Sequence, residues 1–139
     1  MPFAGINYWA VLAAAVAAWL LGAAWYMTLA KPWRDAIGLT QEEMDARKSQ
    51  PGAHLPFIYA FVAALVMAWV FAGLLGHLGR VTVANGIISG AFCWLGFVLP
   101  TMVTNYSFGG RKVMLLVIDS GYWLAVLVVM GAIIGAFGV

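Results

Sequence analysis

The sequence predicts an all-α membrane protein, a four transmembrane helix bundle with a short amphipathic helix in the first loop. Three observations predict it. Of 139 residues, 65% are hydrophobic and 9% charged, whereas soluble domains are about a quarter charged. Four apolar stretches, at about 7–30, 55–77, 83–104 and 113–137, each exceed the roughly 18 residues that suffice to cross a bilayer core. Backbone groups in lipid must pair internally, so each stretch is expected to be a helix. The length suits a single domain over 1–139, with no separate soluble unit.

The first stretch has no Lys or Arg before its apolar run. A secretory signal wants a basic start and a shorter apolar core, so this stretch is expected to stay as a membrane helix. It carries Ala10, Ala14, Ala18 and Gly22 at helical spacing, then Trp25 and Tyr26 near its end. The first loop comes next. Pro32 suits a helix start and Gly38 a stop. Trp33 and Ile37 would face the lipid headgroups. The run TQEEMDARK places Glu43 three residues after Thr40, which is a capping box. Its acids come first and its bases last, in the sense a helix dipole favours. Pro51 and Gly52 then end it.

The second span opens with His54, Pro56 and Tyr59, and repeats a small residue every four from Ala60 through Ala64, Ala68 and Ala72 to Gly76. The third begins GIISG, with Gly86 and Gly90. Pro100 inside it predicts a kink, with Thr101 and Thr104 placed to satisfy freed carbonyls. The fourth contains Asp119, Ser120 and Tyr122 and ends GAIIG, with Gly131 and Gly135. Lipid tails are as apolar as leucine, so small residues that let backbones approach drive helix association. Gly86, Gly90, Gly131 and Gly135 are therefore the expected helix-packing positions.

Cations set the orientation. Lys31, Arg34, Arg47, Lys48, Arg111 and Lys112 lie in the first and third loops, against Arg80 alone in the second. Basic loops stay cytoplasmic, so the N- and C-termini are expected to be periplasmic. The glycine pairs then lie in the outer half. The inner half collects Tyr26, Tyr59, Thr101, Asn105, Asp119 and Tyr122 within roughly 15 Å of one membrane face, by helix rise. These six form the candidate intramembrane polar site. An Asp at mid-helix costs about 2.5–3.5 kcal/mol to insert. The apolar residues of its own helix return about 0.3–0.6 kcal/mol each, so insertion tolerates Asp119 without any function. Three roles stay open for it: a pin between helices, a proton or solute site, or a contact for a partner protein.

Other chemistry has little to stand on. Cys93 is alone, which excludes an internal disulfide. His54 and His77 lie at opposite ends of one helix, roughly 30 Å apart, so they share no metal. No His sits mid-membrane, and no cofactor is expected. A net charge of +2 without a basic run argues against nucleic acid. Trp9, Trp33, Tyr106 and Phe108 read as interfacial belt residues.

The pieces GAAWY (Gly22–Tyr26), WLGF (Trp94–Phe97), NYSF (Asn105–Phe108) and IDSGY (Ile118–Tyr122) resemble the domain-of-unknown-function 1761 (DUF1761) family of small bacterial membrane proteins. The resemblance covers nearly the whole chain. It implies a bacterial inner-membrane protein and brings no activity and no site residues. The functional expectation is thus physical: a non-enzymatic helix-packing module, self-associating or accessory to a larger membrane complex. The alternative is a small permeation or transport protein with Asp119 as its protonatable site. A lipid-modifying enzyme comes third, with His54 and Asp119 as a thin acid–base pair. Expected partners are the lipid bilayer and either a second copy or a larger membrane complex.

Overall fold

A computed structural model describes residues 5–138. All the regular structure among them is helical. Helix α1 (Tyr8–Thr28) starts at Asn7, whose side-chain oxygen accepts from the backbone N–H groups of Trp9 and Ala10 at 3.0 and 3.3 Å. These bonds satisfy donors that a helix start leaves free. After a break at Leu29, α2 (Ala30–Ile37) turns away and stops at Gly38, which has a φ of 85°. A left-handed residue at that place is cheapest as glycine. The capping box of Thr40 and Glu43 is present and starts α3 (Gln41–Lys48). The first loop therefore contains two short helices, and α2 begins ahead of Pro32.

Four helices are long and apolar enough to cross a membrane. Besides α1 they are α4 (Leu55–Leu78), the composite third span, and α7 (Val113–Phe137). The third span is α5 (Val83–Cys93), a π-helical turn (Trp94–Val98) and α6 (Leu99–Phe108). The kink expected at Pro100 takes the form of this π turn. Proline lacks an N–H and crowds the carbonyl four residues back. Widening the turn relieves that crowding, and the Leu99 N–H bonds to the Trp94 carbonyl instead. Thr101 donates to the Phe97 carbonyl, and Thr104 to the Pro100 carbonyl at 2.9 Å.

Helix α7 is the centre of the bundle, touching α1, α2, α4, α5 and α6. Its most extensive pairing is with α5. A Cβ built on Gly86 would collide with the Gly131 carbonyl, and one built on Gly131 with that of Gly86. Gly90 meets the Leu127 backbone in the same way, and Gly135 that of Thr82. Helix α1 packs on α4 through Ala14, Ala15 and Ala18 against Ala64, Ala68 and Ala72, all buried. Ile6, Val11, Phe71, Leu75, Val126, Met130 and Ile134 complete that core. Much of the remaining apolar surface, such as Ile58, Val62, Val66 and Val70 of α4, points outward. Such side chains are in place where the surrounding solvent is lipid.

Candidate functional site

The glycine contacts between α5 and α7 lie in the half of the bundle that holds the α4–α5 connection. The other half, beneath the first and third loops, holds the polar groups. Asp119 lies six residues into α7, about 9 Å along it by helix rise. Its carboxylate is clasped from two sides. The Tyr26 hydroxyl on α1 donates to Oδ1 at 2.7 Å, and the Tyr106 hydroxyl on α6 donates to Oδ2 at 2.5 Å. Asp119 thus ties the first and third spans to the fourth.

The backbone on either side of Asp119 is tied in as well. Trp25 Nε1 of α1 donates to the Ile118 carbonyl at 3.1 Å. Trp94 Nε1, at the start of the π turn, donates to the Ser120 carbonyl at 2.8 Å. Tyr122 donates across to the Ala18 carbonyl at 3.1 Å, and its ring meets that of Tyr26 edge-on with centroids 5.3 Å apart. Two glycines admit these rings. A Cβ on Gly22 would stand 2.8 Å from the Tyr122 hydroxyl oxygen, and one on Gly121 3.2 Å from Trp25 Cζ2.

A cleft of about 320 Å³ opens beside the carboxylate. Its lining comes from Trp33 and Ile37 of α2, Asn105 and Tyr106 of α6, Gly109 and Arg111 of the link, and Leu115 and Asp119 of α7. The link is a Schellman turn. The Arg111 N–H bonds back to the Tyr106 carbonyl at 2.9 Å, with Gly110 left-handed at a φ of 66°. That turn fixes Arg111 beside the cleft. Helix α2 lies over it: Trp33 packs edge-on against Tyr26 with centroids 6.0 Å apart, and Lys112 Nζ reaches the Asp35 carbonyl at 3.4 Å.

The six residues expected to share a polar layer divide three ways. Tyr26 and Asp119 bond directly, and Tyr122 packs against Tyr26. Asn105 lines the cleft without bonding to Asp119 among the described residues. Thr101 and Tyr59 lie elsewhere. Thr101 is exposed and its hydroxyl is used within its own helix. Tyr59 is 63% exposed on the outer side of α4, the side turned away from α1.

The π turn explains the misplacement of Thr101. Counting from Trp94, ordinary helix periodicity puts Thr101 and Asn105 on the face that meets α7. The turn adds one residue to the winding and rotates all later positions of the span by about 100°. The facing positions become Met102 and Tyr106, both half-buried where Thr101 and Asn105 are exposed. Tyr106, taken as an interfacial belt residue, is therefore the second ligand of the carboxylate. A count back from the short link after α6 would have placed it within about one turn of Asp119. Trp25 and Trp94 stood in the pieces GAAWY and WLGF, but nothing in those pieces showed that their indoles bond to α7 carbonyls, and Arg111 read as an ordinary anchor near a membrane face.

These features belong to a multi-pass membrane protein: a four-helix bundle in which glycines bring α5 and α7 into backbone contact in one half, with a tyrosine-clasped carboxylate in the other. The model of the family described as protein of unknown function (DUF1761) matches residues 9–135, and the chain belongs to that family. The four pieces that carried the resemblance converge on one place. Trp25 and Tyr26, Trp94, and Tyr106 all bond to the Ile118–Ser120 segment. No curated protein and no solved structure matches the chain.

Proposed function

We propose that the chain is a non-enzymatic helix-packing module of the bacterial inner membrane, self-associating or serving as an accessory subunit of a larger membrane complex. The observation that carries this reading is how the polar groups around Asp119 are used. The carboxylate takes two tyrosine hydroxyls, Tyr122 is bonded to the Ala18 carbonyl, and both indoles are bonded to α7 carbonyls. Each bond joins one helix to another, which is what a structural pin does. The apolar outer face of α4 and the sparsely buried third span leave surface for a second copy or a partner helix. The split of Lys and Arg between loops supports termini on the periplasmic side.

Two Asp119 variants test the pin. Asp119→Asn keeps the shape and the number of hydrogen bonds: its amide oxygen still accepts from one tyrosine hydroxyl and its NH2 donates to the oxygen of the other, so it should fold and assemble almost as the parent does. Asp119→Leu leaves two hydroxyls without their acceptor and should lose stability and assembly. Equal stability of Asp119→Leu and parent would overturn the pin. Gentle extraction with size analysis and identification of co-purifying chains tests the module. A monomer with no partner under conditions that preserve other membrane complexes would count against it.

One observation favours a second reading. Asp119 lines an open cleft at one face of the bundle, as a protonatable site in a small transport protein would. In the other half α5 and α7 are in backbone contact, which opposes a continuous path between them. Liposome flux that depends on pH in the parent and is lost in Asp119→Asn would favour transport over the pin.

A further inference from the structure

The cleft beside Asp119 holds more than the pin requires. We propose that it binds a zwitterion of the phosphoethanolamine type, with a primary ammonium at Asp119 and a phosphate at Arg111, carried by a lipid headgroup or free.

A carboxylate oxygen has two acceptor directions. Each oxygen of Asp119 accepts one tyrosine hydroxyl, so one direction on each remains for a further donor. Asp119 is half-buried and Arg111 exposed, so the carboxylate marks the deeper part of the cleft and the guanidinium its rim. Arg111 has no acid partner among the described residues, where the ion pair present is Arg34–Asp35. An anion and a cation held apart on one cleft suit a ligand carrying the opposite pair. Guanidinium binds phosphate oxygens through parallel N–H bonds. An ammonium supplies donors that a carboxylate with vacant lone pairs accepts.

Size and place agree with this. The cleft has a volume of about 320 Å³. That is the lower end of small-ligand sites. Trp33 and Tyr106 give it aromatic walls, and Ile37 and Leu115 apolar ones, which suits a headgroup continuing into a glycerol backbone. The depth of about 9 Å below the helix start is within reach of the headgroup region.

The test uses delipidated full-length protein in detergent. Phosphatidylethanolamine, phosphatidylcholine, phosphatidylglycerol and free phosphoethanolamine are titrated separately, and binding is read by native mass spectrometry and by shift of the unfolding midpoint. Choline has the same charge but no N–H to donate, and glycerol has no ammonium. The parent should bind phosphatidylethanolamine about tenfold or more tighter than either, as a charge-assisted hydrogen bond requires. Asp119→Asn should bring the three lipids to within about twofold of one another. Arg111→Gln, on an exposed link, should weaken all three. Binding of free phosphoethanolamine with the same Asp119 dependence supports the site and shows that the headgroup alone suffices; its failure to bind assigns the source to the lipid. Equal binding of phosphatidylcholine and phosphatidylethanolamine by the parent, or an ethanolamine preference that survives in Asp119→Asn, overturns the proposal. The midpoint without ligand reports the pin separately, so the two readings fail independently.

Discussion

Gly90→Ala should destabilise the bundle by about 1–3 kcal/mol, the usual range for overpacking. The added Cβ would stand 2.5 Å from the Leu127 carbonyl oxygen and 2.9 Å from its carbon, where ordinary contact begins at 3.4 Å. Both atoms are backbone in the middle of α7, so no side chain can swing aside. The helices must part locally by the better part of an ångström. A gap of about 0.5–1 Å forfeits a quarter to a half of each dispersion contact it opens. In lipid there is no hydrophobic drive between helices to offset that loss. The effect falls on the most extensive pairing in the fold. Gly96→Ala, in the π turn of the same span, is the matched control: nothing lies within 4 Å of its Cβ position. Alanine is favoured over glycine in helices by about 0.8–1 kcal/mol, so that variant should be neutral or slightly stabilised. The assay is reversible unfolding in mixed micelles by titration with sodium dodecyl sulfate, monitored by circular dichroism. Equal midpoints for Gly90→Ala and Gly96→Ala would refute the claim that backbone approach holds α5 on α7.

Tyr26→Phe and Tyr106→Phe should each cost about 0.6 kcal/mol in the same assay and no more than about 1.7, the average and the maximum measured for hydrogen bonds between membrane helices. The double variant should be non-additive, because both hydroxyls serve one carboxylate. Tyr59→Phe, on the outer side of α4, should leave the midpoint unchanged, and a loss as large as that of Tyr106→Phe would mean that Tyr59 reaches the polar layer after all. A fluorescent protein that matures only in the cytoplasm, fused at the C-terminus, should stay dark; bright cells would reverse the orientation argued from Lys and Arg.

Much of the fold could be read from the chain. A run of apolar residues in lipid has one way to satisfy its backbone, so hydropathy alone determined four helices, and their observed bounds coincide with local breakers such as Gly79 and the Gly109–Gly110 pair. The capping box of α3 was equally local, since Thr40 and Glu43 bond within a single turn. The glycine pairs carried their own signal too: a missing Cβ at matching depth on two helices invites backbone contact, and Gly86 meets Gly131.

For the site, depth was legible and direction was not. Depth accumulates at a constant rise per residue, so Thr101, Asn105 and Asp119 could be placed near one level from sequence. Direction depends on every turn wound before, and one π turn before Pro100 moved the inward face from Thr101 and Asn105 to Met102 and Tyr106. Tyr59 failed for a related reason, since which side of α4 meets α1 is settled by the packing of Ala64, Ala68 and Ala72. Local pattern was enough for the class of fold, for the helices and for an acid inside an apolar span. Which hydroxyls that acid holds, and that Arg111 shares its cleft, came from packing, because neighbours across helices are set by the rotation of each helix about its axis, which no local pattern records.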